Sequence, residues 1–193
     1  MASSSPRPTR VLAVVGSVTP PGRLRRAVSE ALERARQPTD LLDLAEVRLP
    51  FADGRPPAEA GGDTEAVLAR VAAADAVLLA TPVYRGSLTG ALKNLLDLLP
   101  VAALEGKPVA VLAMGTTPHH FLGAERHLRD ILAFFGAHVT PVAGYLTSKD
   151  FQVGVPSPAA AAAVDQLVDG LARLHRALAG MPPGGLRPLA ASR

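Results

Sequence analysis

The sequence predicts an α/β fold, with helices on both faces of a parallel sheet of five strands. Short continuous apolar runs, of which residues 11–15 and 76–80 are the clearest, are typical of strands buried on both sides. Segments with apolar residues three and four positions apart follow these runs and indicate amphipathic helices. This alternation favours parallel strands joined by crossover helices, and the strand order that we expect is 2-1-3-4-5.

Five apolar runs predict the strands. They cover residues 11–15, 39–44, 76–80, 108–114 and 138–146. The fifth run contains Pro141, which lacks a backbone N–H and is expected to interrupt the strand. Residues 45–62 are rich in proline, glycine and charge and predict a long loop, and a polar loop is expected up to Pro156.

Five helical patterns alternate with these strands. They cover residues 24–36, from 63 or 64 to 73, 87–99, 121–135 and 157–180. Pro38, Pro100 and Gly136 end three of them, because proline cannot continue a helix and glycine favours the position after its last turn. Asp63 or Thr64 is the expected cap of the second helix, and Ser157 with a following proline predicts the start of the last.

The length of 193 residues predicts one domain, which we place at residues 10–180. Residues 1–9 and 181–193 predict disordered tails, and the first of them lacks the apolar core of a secretory signal. The chain has no cysteine, which excludes thiol catalysis and fits a cytoplasmic protein. No apolar run approaches the roughly 20 residues that a membrane helix needs.

The chain is basic, with a formal net charge of +3 and a pI of about 9.8. A nucleic-acid surface is one interpretation of this charge. Two tyrosines, five phenylalanines and no tryptophan offer little for base stacking, however. An anionic small molecule bound near the first helix is therefore the favoured explanation, and no nucleic-acid partner is predicted.

Three loops are expected to meet at the carboxyl edge of the sheet, where open α/β sheets bind ligands. They are residues 16–23, 81–87 and 115–120. The first leads into a helix N-terminus, which suits a phosphate group, and Ser17, Thr19 and Arg23 can add donors. The alternative for this loop is a simple turn with solvated arginines.

The other two loops suit a flat heterocycle. Backbone amides after Pro82 can hydrogen-bond a ring edge and Tyr84 can cover the ring, or else Tyr84 is a packing residue and Arg85 a surface charge. Gly115 allows close approach of the backbone to a planar ligand. His119 and the histidine after it have no neighbouring carboxylate or third histidine, so no metal site is predicted.

Together these segments resemble a known family. They are G-S at 16–17, A-T-P-V-Y-R-G-S-L-T-G-A-L-K-N-L-L-D-L-L-P at 80–100, L-E-G-K-P-V from Leu104, and G-T-T at 115–117. They look like the NADPH-dependent FMN reductases, and most like the reductase components of two-component alkanesulfonate monooxygenase systems. The resemblance implies a flavodoxin-like three-layer sandwich, FMN and NADPH (or NADH) as cofactors, and a homodimer or homotetramer.

The resemblance also implies positions for the cofactor, with no catalytic side chain. The FMN phosphate would be held by Ser17, Thr19 and Arg23, with Leu24 beside them. The ring would be lined by Pro82, Val83, Tyr84 and Arg85. Its other side would be closed by Gly115 and Thr116. The family's phosphate loop commonly has Ser-x-Ser or Ser-Arg-Ser-Ser, whereas this chain has G-R-L-R-R at 22–26, so guanidinium groups would replace hydroxyls. Arg23 and Arg85 are both candidates for the 2′-phosphate of NADPH.

The implied function is hydride transfer from NAD(P)H to FMN, with the reduced FMN supplied to a partner monooxygenase. Two alternatives remain open at this point. One is a quinone or azo reductase with tightly bound FMN. The other is a non-catalytic, flavodoxin-like flavin-binding protein.

Overall fold

The computed structural model describes residues 7–19 and 22–179, and it has the expected parallel sheet in the order β2-β1-β3-β4-β5. The strands of this sheet are β1 (Val11–Val15), β2 (Thr39–Asp43), β3 (Ala76–Pro82), β4 (Pro108–Met114), β5 (His138–Val139) and β6 (Gly144–Leu146). The helices are α1 (Arg23–Arg34), α2 (Pro57–Ala60), α3 (Thr64–Ala73), α4 (Gly90–Leu98), α5 (Phe121–Phe135) and α6 (Pro158–Leu178).

The sheet is buried on both faces, which confirms the three-layer sandwich. Successive residues of β1 alternate between two apolar clusters, with Leu12 in one and Ala13 in the other. The first cluster includes side chains of α3, α4 and α5, and the second includes side chains of α1 and α6. This explains why the strands are continuous apolar runs rather than alternating ones.

The fifth strand is split, as the proline in its middle predicts. Both halves pair in parallel with β4, β5 opposite its first residues and β6 opposite its last. Between them, Arg129 of α5 donates hydrogen bonds of 2.9 Å to the carbonyl oxygens of Thr140 and Pro141. The side chain thus satisfies backbone groups that the sheet leaves unpaired.

One expected helix start and two expected loops were wrong. Helix α4 begins at Gly90 and not at residue 87, because the Thr89 hydroxyl accepts a hydrogen bond of 3.1 Å from the Leu92 N–H and so caps the helix there. The long loop at 45–62 contains α2, a single helical turn that begins at a proline. The polar loop before α6 contains an antiparallel hairpin of β7 (Phe151–Gln152) and β8 (Val155–Pro156).

The N-terminal boundary also differs from the expected tail at 1–9. Thr9 is buried, and its hydroxyl lies 3.0 Å from His175 Nδ1 on α6. The Arg7 guanidinium lies 2.6 Å from the Asp75 carboxylate. The packed domain therefore includes residues 7–9, whereas residues 1–6 and 181–193 lie outside the described residues. Within the described ranges, no helix is both long and apolar enough to cross a membrane.

Candidate functional site

The first loop is fastened to two neighbouring elements as soon as β1 ends. The Gly16 N–H donates to the Ala80 carbonyl at 2.7 Å, and the Thr89 hydroxyl donates to the Gly16 carbonyl. A β-carbon on Gly16 would lie only 2.8 Å from Cβ of Leu92. Because no side chain fits there, glycine lets the loop lie directly against the start of α4.

A cleft of about 220 Å³ opens beside this loop, at the carboxyl edge between β1 and β3. It brings together six of the ten residues that the sequence singles out, which are Ser17, Thr19, Arg23, Leu24, Pro82 and Tyr84. The remaining lining residues are Val15, Gly22, Arg25, Asp43 and Met114. The cleft lies where a change of strand order in an open α/β sheet is expected to create a binding crevice.

One end of the cleft is built to receive an anion. Helix α1 points its N-terminus here, and Gly22 at the cap position provides no side chain to satisfy the first N–H groups. The hydroxyls of Ser17 and Thr19 lie 2.7 Å from each other beside it. The Arg23 guanidinium stands over the ring of Phe151, 5.7 Å from its centroid, and forms no ion pair with any described carboxylate.

The sequence placed Arg25 in the expected phosphate loop, but sequence reasoning missed its buried partner, Asp43. The Arg25 Nε donates to the Asp43 carboxylate at 2.6 Å and its Nη2 donates to Glu46 at 2.9 Å. The hydrogen bond that Arg25 donates to Asp43 raises the pKa of Arg25, so this guanidinium stays charged and compensates the buried carboxylate. Asp43 ends β2 at the same sheet edge as Gly16, which is the signal that could have revealed it.

Tyr84 also lines the cleft and lies on a tight turn. Its side chain is half exposed, and its backbone exchanges two hydrogen bonds with Ser87, of 2.9 and 3.0 Å. The two central residues have positive φ, 53° at Arg85 and 76° at Gly86, as in type I′ hairpin turns.

The turn corrects the expectation for the backbone amides after Pro82. The Val83 N–H is occupied by the Met114 carbonyl at 2.8 Å, and those of Tyr84 and Ser87 bond each other's carbonyls. The N–H groups of Arg85 and Gly86 form no hydrogen bond with the described residues. Only these two of the four amides from Val83 to Gly86 are therefore available to a ring edge.

Four predicted residues do not line the cleft: Val83, Arg85, Gly115 and Thr116. The space that a side chain at Gly115 would take is filled by Tyr145, because a β-carbon there would overlap the Tyr145 hydroxyl. That hydroxyl donates to the Thr117 carbonyl at 2.7 Å, and burial raises its pKa. The missing side chain at Gly115 thus makes room for Tyr145.

The described histidines are not grouped as metal ligands. In residues 7–19 and 22–179, no three His, Asp or Glu side chains group closely enough to bind a metal ion. His119 is exposed before α5. His127 lies on that helix with its Nδ1 2.8 Å from the Ser87 hydroxyl, at the end of the tyrosine-bearing turn.

Residues 9–152, which include every residue of the cleft, match the family described as NADPH-dependent FMN reductase. The chain belongs to the NADPH-dependent FMN reductase family. This confirms the resemblance and the enzyme class, an oxidoreductase that uses FMN and a reduced pyridine nucleotide.

Individual relatives agree with this family. An NAD(P)H-dependent FAD/FMN reductase of Geobacillus thermodenitrificans is 40% identical over 111 residues, which is 58% of this chain and 60% of that protein. An FMN reductase (NADPH) of Pseudomonas aeruginosa is 35% identical over 149 residues, 75% of this chain and 80% of that protein. Among solved structures, the apo form of the NADH:FMN oxidoreductase EMOB is 24% identical, with a TM-score of 0.71 over 96% of this chain and 97% of that one, and it supports the fold.

Proposed function

We propose that the cleft is the FMN site of this reductase and that FMN is a substrate which the enzyme releases after reduction. One observation supports the site. An uncapped helix N-terminus, an arginine without a carboxylate partner, two hydroxyls and a half-exposed tyrosine all border the same cleft. The first three features suit a phosphate, and the tyrosine suits the face or edge of a ring.

Different residues would bind the phosphate and the ring of FMN. The N–H groups at the start of α1, with Arg23, Ser17 and Thr19, would hold the phosphate, while Pro82 and Tyr84 would border the ring. The chemistry that FMN supplies when bound is acceptance of a hydride from the reduced nicotinamide. The protein's part is to orient the two molecules and exclude water, and no side chain of the cleft is needed as an acid or base.

The small number of side-chain donors near the phosphate position supports release of the flavin. In the described part of the cleft, Ser17 and Thr19 provide the aliphatic hydroxyls, and these already hydrogen-bond each other. Arg25 is committed to Asp43 and Glu46. A weakly held flavin suits an enzyme that hands reduced FMN to a flavin-dependent monooxygenase, as in the two-component systems that the sequence resembles.

NADPH oxidation followed at 340 nm, with and without added FMN, tests the activity. We expect oxidation to depend on FMN and to saturate with it, and an absence of both oxidation and flavin fluorescence quenching would overturn the reductase. After anaerobic reduction and ultrafiltration, reduced FMN is expected in the filtrate. Retention of a yellow protein through gel filtration would instead favour the quinone or azo reductase alternative.

Arg23→Gln tests the phosphate site. Removing a charged donor is expected to raise the KM for FMN by about tenfold or more, since hydrogen bonds to charged groups are among the stronger ones. Arg26→Gln is the matched control, because Arg26 lies on the same helix but is paired with Glu30 at 2.7 Å and does not line the cleft. Equal KM values for the two variants would remove Arg23 from the site.

A further inference from the structure

Helix α5 contacts the turn that carries Tyr84 at two points. A β-carbon on Gly123 would overlap the Gly86 carbonyl oxygen, so the helix and the turn lie backbone against backbone. One helical turn further on, His127 Nδ1 lies 2.8 Å from the Ser87 hydroxyl. The two contacts fall on consecutive residues of the turn, and the second is a side-chain hydrogen bond across 40 positions of the chain.

The turn itself has few other restraints. Its closing bonds join Tyr84 to Ser87, and Arg85 at its tip is exposed with a φ of 53°, a conformation that favours glycine or asparagine. Backbone held in a sparsely populated conformation needs support from its surroundings. The hydrogen bond from α5 is the side-chain support that the described residues provide to this turn.

The other charged groups around His127 do not compete for the serine. The groove between α4 and α5 is lined by Ser87, Lys93, His127 and Asp130 among others. Lys93 is engaged by Asp97 one turn along α4, with Nζ 2.6 Å from the carboxylate. Among the described residues, Asp130 forms no hydrogen bond or ion pair with Ser87 or His127. Ser87 is thus the hydrogen-bond partner of the imidazole within the groove.

We propose that His127 is a positioning residue for flavin binding, which acts through Ser87 to hold the Tyr84 turn against the cleft. The inference rests on the proposed function, since it requires that Tyr84 contacts the flavin. His127 lines the groove between α4 and α5 and is not among the residues that line the cleft. Its loss would therefore weaken the hold on flavin without changing the reaction once flavin is bound.

The experiment compares His127→Ala and Ser87→Ala with the natural protein. Each is expected to raise the KM for FMN about threefold to tenfold, as loss of one hydrogen bond does, with kcat at saturating FMN within about twofold. The double variant is expected to be no worse than either single one, because the two side chains act as one pair. His127→Asn, which retains a nitrogen at the position of Nδ1, is expected to recover most of the affinity.

Two further variants separate this inference from the proposed function. Lys93→Ala lies in the same groove and should leave the KM for FMN unchanged. Tyr84→Ala should raise it. If Tyr84→Ala raises the KM but His127→Ala does not, the positioning role is wrong and the flavin site stands. If Tyr84→Ala has no effect, the placement of the ring fails and the positioning role fails with it. Equal losses of kcat and melting temperature in His127→Ala and His127→Asn would indicate a purely structural residue.

Discussion

At the residue scale, Gly16 leaves no room for a side chain beside the cleft. A β-carbon there would meet Cβ of Leu92 at 2.8 Å and the Ala80 carbonyl oxygen at 3.3 Å. We expect Gly16→Ala to lower the free energy of unfolding by about 1–3 kcal/mol, as over-packing does, and to weaken FMN binding by displacing Ser17. Urea unfolding measures the first effect and flavin fluorescence quenching the second.

Gly90 provides the matched control. It is the first residue of α4, and a β-carbon there would meet no atom within 4 Å. Gly90→Ala is expected to leave stability unchanged or to raise it by up to about 1 kcal/mol, because alanine favours helices. Equal stability of the two variants would contradict the close approach at Gly16.

Val153 carries a β-branched side chain at a backbone conformation that disfavours one. It is fully exposed at the tip of the β7–β8 hairpin with a φ of 48°, and Gly154 follows at 76°. Val153→Asn creates the Asn-Gly pair preferred in type I′ turns, and we expect it to raise the free energy of unfolding by about 1 kcal/mol. Val155→Asn, on the adjacent strand, should give no such rise in urea unfolding. A similar rise in both variants would trace the effect to polarity and not to φ.

Residue identities alone predicted part of the lining of the candidate cleft. Ser17, Arg23 and Tyr84 were predictable because each follows a strand at the carboxyl edge, where topology brings loops together. Gly115 was interpreted as contact space for a ligand, since the sequence does not reveal that Tyr145, 30 residues later, fills it. Asp43 resembles any strand-end acid until its buried contact with Arg25 is seen.

At the element scale, α3 is tied to β2 by an ion pair on the sheet's edge. The Arg70 guanidinium donates to the Asp40 carboxylate at 2.8 and 3.0 Å and to the Leu41 carbonyl at 2.6 Å. The hydrogen bond from Arg70 lowers the pKa of Asp40 in the folded protein. The stability that this carboxylate contributes is therefore present above its unfolded pKa, and it is lost as the pH falls through the folded value.

Asp40→Asn tests this pH dependence. At pH 7 we expect the free energy of unfolding to fall by about 1 kcal/mol, because the pair is partly exposed. The difference from the natural protein should shrink as the pH falls below the folded pKa, where both chains are neutral at this position. Asp97→Asn, in the exposed pair with Lys93, is the control and should change stability by less. A difference that stayed constant down to strong acid would exclude the carboxylate charge as its cause.

The order of the elements was predictable from apolar runs, but their ends depended on side-chain contacts. Leu88 fits the spacing of α4, yet the helix starts after it because Thr89 caps the first turn and Ser87 pairs with Tyr84. Strands β7 and β8 have two residues each, which is too short for an alternating pattern to be recognised. The short helix α2 is hidden in the same way by the prolines and glycines around it.

At the scale of the whole molecule, the cleft couples ligand binding to folding. It exists only when β1, α1 and β3 are assembled, so FMN should bind the native state and not the unfolded chain. At 100 times the dissociation constant, such a ligand adds about 2.7 kcal/mol. For a domain of this size, the melting temperature should then rise by about 5–10 °C.

Differential scanning fluorimetry over a range of FMN concentrations measures this rise. The shift should grow with the logarithm of the concentration above the dissociation constant, and Arg23→Gln should need more FMN for the same shift. Riboflavin, which lacks the phosphate, is the control and is expected to stabilise less. Equal shifts with both flavins would argue against a phosphate-binding role for the start of α1.

The interrupted fifth strand has a consequence for the behaviour of the chain in solution. A long, flat strand at the edge of a sheet is a template on which another chain can add a strand and begin to aggregate. Here β5 has two residues and β6 three, with Pro141 between them and the carbonyls at the break bonded to Arg129. This margin of the sheet offers an incoming strand no continuous ladder to pair with. The same proline that divides the strand thus protects the folded protein against uncontrolled assembly.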